Sequence, residues 1–150
     1  MDNIDKKILT NLQQDGRISN ANLSDAVGLS PSACLRRVQS LEESGVIDGY
    51  SADINHDKMG YKTLIMLMVT LAEQGEDKLR NFEEEITKIP QVIQCHLMGG
   101  RYDYLVKIAV RDIQDYEEIH RHKLSKLTNV SMLQSYFSMR EIINRSIPIL

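Results

Sequence analysis

The run Lys62 to Leu71, KTLIMLMVTL, constrains the fold more than any other stretch of this chain. A strand turns successive side chains to opposite faces, and here both alternating sets are apolar, so each face needs a cover. The residues that follow show what lies over one of them. Glu76 to Ile89 carries Leu79, Phe82, Ile86 and Ile89 on one helical stripe and closes at Pro90. Val92 to Met98 and Tyr102 to Val110 are β-rich runs separated by Gly99-Gly100-Arg101, a hairpin signal. Ile113 to Leu127 reads as a second helix with Ile113, Tyr116, Ile119, Leu124 and Leu127 inward, and Val130 to Met139 as a fourth strand. The order strand, helix, strand, strand, helix, strand is that of the ferredoxin-like fold, whose two helices share one face of an antiparallel sheet. The other face is bare in a single copy. Tyr102, Tyr104, Val106, Ile108 and Val110 share one side of their strand, adding to the apolar surface, and the pattern implies a sheet-to-sheet homodimer.

The first fifty residues follow a different period. Ile4, Ile8, Leu9 and Leu12 recur at helical spacing, with Asp2 and Asp5 at the positive helix end and Gly16 beyond. Ser19 precedes a short amphipathic segment built on Leu23, Ala26 and Val27 and stopped by Gly28. Leu29-Ser30-Pro31 then opens a third helix that runs to about Glu43, with Ser30 as cap and Pro31 at the first position. Its buried stripe is Cys34, Val38 and Leu41, which leaves Ser32, Arg36, Arg37, Gln39 and Ser40 outside. Two helices joined by a tight glycine turn, the second polar and basic outside, fit a helix-turn-helix whose second member enters the major groove. A plain three-helix cluster with a solvated arginine pair fits the same periodicity. Val46 to Ile54 reads as a short extended segment that serves as wing and linker.

Charge does not advertise a nucleic-acid partner. The chain carries a net −3, and residues 1–60 hold 6 Lys and Arg against 9 Asp and Glu. DNA contact must therefore rest on a local patch, doubled by dimerisation, with paired helices about 34 Å apart reading a pseudo-palindromic site. Cys34 and Cys95 lie far apart without a CxxC pair, so neither a disulfide framework nor a zinc site is expected. His120 and His122 are two apart and cannot share a metal from one helix face. No nucleophile elbow, phosphate loop or paired catalytic carboxylate occurs, so the chain is read as a non-enzyme without metal or cofactor. No apolar run reaches membrane length and the N-terminus is charged, which reads as cytoplasmic.

Taken together, the chain resembles the Lrp/AsnC family of feast/famine regulators. The resemblance rests on Asp2-Asn3-Ile4-Asp5-Lys6-Lys7-Ile8-Leu9, on Leu29 to Val38, on Leu41 to Tyr50, and on Gly99-Gly100-Arg101-Tyr102-Asp103-Tyr104-Leu105. It implies an α+β chain: a winged helix-turn-helix over residues 1–50, a linker or strand over 51–61, and a ferredoxin-like oligomerisation and effector-sensing domain over 62–150. It implies double-stranded DNA as partner, contacted through Ser30, Ser32, Ala33, Arg36, Arg37, Gln39 and Ser40. It also implies a homodimer that can build an octamer. An amino acid or related metabolite is expected at Gly99, Gly100, Arg101, Tyr102 and Asp103, with Leu127 and Thr128 nearby. Free N–H groups of the glycine turn suit a carboxylate, and Asp103 suits an α-amino group. One position departs from the pattern: Arg101 stands where leucine-responsive members commonly carry an acidic residue. The alternative reading is a metabolite-binding oligomer with weak or no DNA binding.

Overall fold

The computed structural model describes residues 1–149; Leu150, the end of the second expected domain, lies outside the described residues. The chain forms two compact units. One comprises Met1 to Asp53 with the segment from Ile143, the other Ile54 to Ile142.

The first unit contains α1 (Asn3–Gln14), α2 (Asn20–Val27) and α3 (Pro31–Glu43). Each helix has its start signal in place. Asp2 caps α1 by accepting from the Ile4 and Asp5 N–H groups, while Asp5 reaches back to the Asp2 N–H, closing a capping box. The Ser19 hydroxyl accepts from the Asn22 N–H, and Gly28 takes the left-handed conformation, φ 73°, that turns the chain sharply after α2. Ser30 caps α3 through the Ala33 N–H, with Pro31 directly behind it. Ile8, Leu23, Val27, Cys34 and Leu41 form the buried centre, with Ile4, Leu12, Val38 and Ile47 packed around it. Burial pushes the Cys34 thiol above its usual range, which leaves it a small core side chain. No strand forms over residues 46–62; the expected extended segment ends in a turn in which the Asn55 side chain accepts from the Lys58 N–H. A β-strand needs a ladder partner, and no strand of the described residues pairs with this segment.

The second unit contains β1 (Thr63–Leu71), α4 (Glu76–Ile86), β2 (Val92–Leu97), β3 (Tyr104–Val110), α5 (Ile113–His122) and β4 (Val130–Phe137). The strands form one antiparallel sheet in the order β2-β3-β1-β4, the ferredoxin-like arrangement. Ile65, Leu67, Val69 and Leu71 of β1 are buried with Tyr104, Val106, Ile108 and Val110 of β3 among Phe82 and Ile86 of α4 and Tyr116 and Ile119 of α5. The β3 stripe therefore lies on the helix-covered side and contributes nothing to the bare face, a correction to the expectation from its alternation. Tyr102 does not share it either. The chain bends through residues 99–103 before β3 begins, so strand parity cannot be extended back to Tyr102.

The open face is carried by other residues. Leu64, Met66 and Met68 of β1 are only half-buried, and Met66 stands between Lys107 of β3 and Tyr136 of β4, while Met68 stands between Leu105 and Gln134. Two further expectations shift. Ile113 is the first residue of α5, directly after the capping Asp112, and is 67% exposed rather than inward. The second helix stops at His122, because Lys123 leaves helical dihedrals (φ −124°, ψ −61°), and a single 3-10 turn, Leu124–Lys126, returns Leu124 to the core.

Candidate functional site

The outer arc of α3 is the first site. Ser32, Arg36, Gln39 and Ser40 are exposed on it. Ala33 is half-buried, and Ser30 is occupied as cap, its hydroxyl 3.3 Å from both the Ala33 N–H and the Ser32 hydroxyl. The Asn20 side chain donates to the Pro31 carbonyl at 2.9 Å, tying the start of α2 to the start of α3. Arg36 makes no ion pair among the described residues, so its guanidinium is available to a phosphate or a guanine edge.

Arg37 is placed differently. One of its terminal nitrogens donates to both Asp2, at 2.8 Å, and Asp5, at 2.7 Å. Together with the capping box, all four oxygens of the two carboxylates are engaged, two on backbone N–H groups of α1 and two on Arg37. The backbone N–H of Asp5 and the guanidinium hold the Asp2 carboxyl below its usual range, and the two carboxylates raise Arg37. Arg37 thus clamps α3 to the first turn of α1. Sequence reasoning counted both arginines as outward; the clamp explains why one of them is not. It also passed over Leu35, which belongs to neither the core stripe nor the polar set and is 47% exposed at the edge of that arc.

The second site is the loop between β2 and β3. Asp103 pins it to β1. Its N–H donates to the Val69 carbonyl, its carbonyl accepts from the Met98 N–H, and its carboxylate accepts from the Leu71 N–H at 2.7 Å and the Gln74 side chain at 2.8 Å. Tyr102 donates to Gln134 at 2.7 Å, and the Arg101 guanidinium lies 5.5 Å from the Tyr102 ring centroid without a carboxylate partner among the described residues. The N–H groups of Gly99, Gly100, Arg101 and Tyr102 donate to nothing among the described residues. Neither Gly99 nor Gly100 has a positive φ, and an added Cβ on either meets nothing within 4 Å. The loop's own backbone therefore does not require glycine at these positions.

Leu127 is half-buried against the core, and Thr128 gives both its N–H and its hydroxyl to Glu85, at 2.8 and 2.9 Å. Asn129 next to it accepts from the Glu73 N–H and donates to the Glu73 carbonyl, and its own carbonyl accepts from Ala72. The Asp103 loop and the turn at 127–129 are thus both tethered to the same end of β1, through Leu71 and through Ala72 and Glu73. Gln74, Glu85 and Asn129 have no local signal that marks them; each is defined by a partner distant in sequence. Elsewhere, burial raises the Tyr104 hydroxyl far above its usual range, reinforced by its bond to Glu83 at 2.8 Å, so it acts as a packed donor. Among the described residues no group of His, Cys, Asp and Glu is arranged to hold a metal ion, and no helix is long and apolar enough to cross a membrane.

Comparison with known proteins gives a consistent picture. The winged helix-turn-helix DNA-binding model matches residues 1–48, and the Lrp/AsnC ligand binding domain model matches residues 64–148. Leucine-responsive regulatory proteins of Escherichia coli (strain K12) and Klebsiella pneumoniae are each 39% identical over 142 residues, spanning 95% of this chain and 87% of the relative. Among solved structures, a transcriptional regulator from Neisseria meningitidis in complex with L-Met matches with a TM-score of 0.92 at 31% identity, over 97% of this chain and 94% of that one. An AsnC family transcriptional regulator from Agrobacterium tumefaciens matches with a TM-score of 0.93 at 32% identity, over 98% and 95%.

Proposed function

The chain belongs to the Lrp/AsnC family of transcriptional regulators, and from that premise we propose that it reads DNA with the outer arc of α3 and answers to an amino acid held at the loop before β3. The observation that carries the first half is the unpaired Arg36 among Ser32, Gln39 and Ser40 on one exposed arc. Arg36 supplies charge, and the hydroxyl and amide groups supply hydrogen bonds to phosphates or base edges. Ser30 and Ala33 bring the helix N-terminus to the backbone, and Arg37 holds the helix at its angle. Reading belongs to the unit built on residues 1–53, and sensing and oligomerisation to the unit of residues 54–142, so both boundaries lie earlier than in the expected 62–150.

For the second half, the run of unbonded N–H groups from Gly99 to Tyr102 is suited to a carboxylate, and Arg101 adds a positive charge beside it. Asp103 acts as the loop's anchor, since both its oxygens are engaged. The L-Met bound to the Neisseria relative supports an amino acid as the class of ligand. Two copies pair through the open sheet face that carries Leu64, Met66 and Met68. As a regulator rather than an enzyme, the protein works in the cytoplasm, where its DNA is.

A salt series on a promoter fragment tests the DNA assignment. Affinity is expected to fall steeply with added salt, and Arg36→Ala to weaken binding and reduce the logarithmic salt slope by about one per subunit. Binding indifferent to salt and to Arg36→Ala rejects it, in favour of a metabolite-binding oligomer. That second reading draws on the net −3 of residues 1–60 and on the neutralised Arg37. A thermal-shift screen of the common amino acids tests the sensor: a ligand selective for the folded state raises the melting point, and no shift with any of them overturns the amino-acid assignment.

A further inference from the structure

We propose that Leu35 is a specificity residue of the DNA interface, which reads the 5-methyl group of a thymine in the major groove. The proposal rests on the assignment of α3 as the reading helix. Within α1, α2 and α3 every other large apolar side chain is buried or half-buried in the core formed around Ile8, Leu23, Cys34 and Leu41. Leu35 alone is exposed, at 47%. Its position follows from helix geometry: it lies three residues after Ser32 and four before Gln39, about 90° round the helix from the stripe of Cys34, Val38 and Leu41, at the edge of the polar arc. Leu35 belongs neither to the buried centre of the three helices nor to the half-buried side chains packed around it.

The chemistry of the groove narrows what such a side chain can meet. Along the floor of the major groove the bases present acceptors, donors and one kind of apolar group, the thymine methyl. Ser32, Arg36 and Gln39 can replace the water that they strip from polar base edges. Leu35 cannot. Pressed against a cytosine amino group or a purine N7, it would leave that group without a partner, which is unfavourable. Against a thymine methyl, both surfaces lose water at no polar cost. Leu35 therefore selects for thymine and against cytosine at the same place in each half-site.

The test uses full-length protein and duplexes selected from a random pool by that protein. Each thymine of the selected site is replaced in turn by uracil, which removes only the methyl. The expected result is one thymine per half-site at which uracil weakens wild-type binding, roughly three- to tenfold. Leu35→Ala should bind the thymine and uracil duplexes equally. A scan with no sensitive position overturns the proposal. So does a Leu35→Ala variant that keeps the wild-type sensitivity, since another residue then reads the methyl, or a wild type and variant that differ by one constant factor on every duplex, which marks Leu35 as generic packing or a protein contact. Arg36→Ala separates the levels. If it weakens binding while the uracil scan is flat, only the Leu35 assignment falls; if it too has no effect, the assignment of α3 falls with it.

Discussion

Adjacent residues on a helix point about 100° apart, so Arg36 and Arg37 face different surroundings and their substitutions should have different signatures. Arg37→Gln removes the clamp on Asp2 and Asp5; it is expected to lower the urea midpoint of the helical unit and to leave the salt slope of DNA binding as in the wild type, the reverse of Arg36→Ala. The clamp also has a pH signature. The folded-state pKa of Asp2 is depressed, so its contribution is complete above the ordinary carboxylate range, about 4, and is lost as pH falls through the lowered value. Asp2→Asn should remove that part of the acid sensitivity, measured as the melting point of the helical unit against pH. Asp103 gives a larger effect. Asp103→Ala strips acceptors from the Leu71 N–H and from Gln74 and is expected to cost about 2–3 kcal/mol in denaturant unfolding, with faster amide exchange at Leu71.

At the level of elements, caps and stripes do most of the work of placing helices, and they are local enough to be read from the chain. Ser30 and Pro31 announce α3, and Ser30→Ala should cost about 1 kcal/mol, read from thermal or urea unfolding. The starts of all three N-terminal helices were legible for that reason. The end of α5 was not: neither Gly nor Pro marks Lys123, and the chain leaves the helix there so that Leu124 reaches the core, a demand made by distant residues. The same holds for Tyr102. Alternation assigns it to the side of Tyr104, but a bend that carries Asp103 to Leu71 and Val69 intervenes. The turn at Gly99-Gly100 was legible from its composition. The residues that fasten it were not, because Gln74 and Gln134 lie far along the chain.

For the whole molecule, the two-sided apolar character of β1 is the fact from which association follows. One face is filled by α4 and α5; the other presents Leu64, Met66 and Met68 beside Leu105 and Tyr136. Placing a charge there, as in Met66→Glu, should shift the protein toward monomer in sedimentation. Affinity for a duplex with two half-sites should fall toward that for a single one, while the helical unit stays folded. That the face would be bare was legible, and which set of β3 side chains lies on it was not, since alternation fixes two sides without saying which one the helices take. The division of α3 into an anchored side and a reading side reaches further. Cys34, Val38 and Leu41 are packed in the core and Arg37 is held by Asp2 and Asp5, whereas Leu35, Arg36 and Gln39 are exposed and make no ion pair among the described residues. If the exposed arc reads DNA as proposed, exchanging its few outward side chains changes the sequence preferred while leaving the core of the helical unit as it is, so a new target costs little rebuilding.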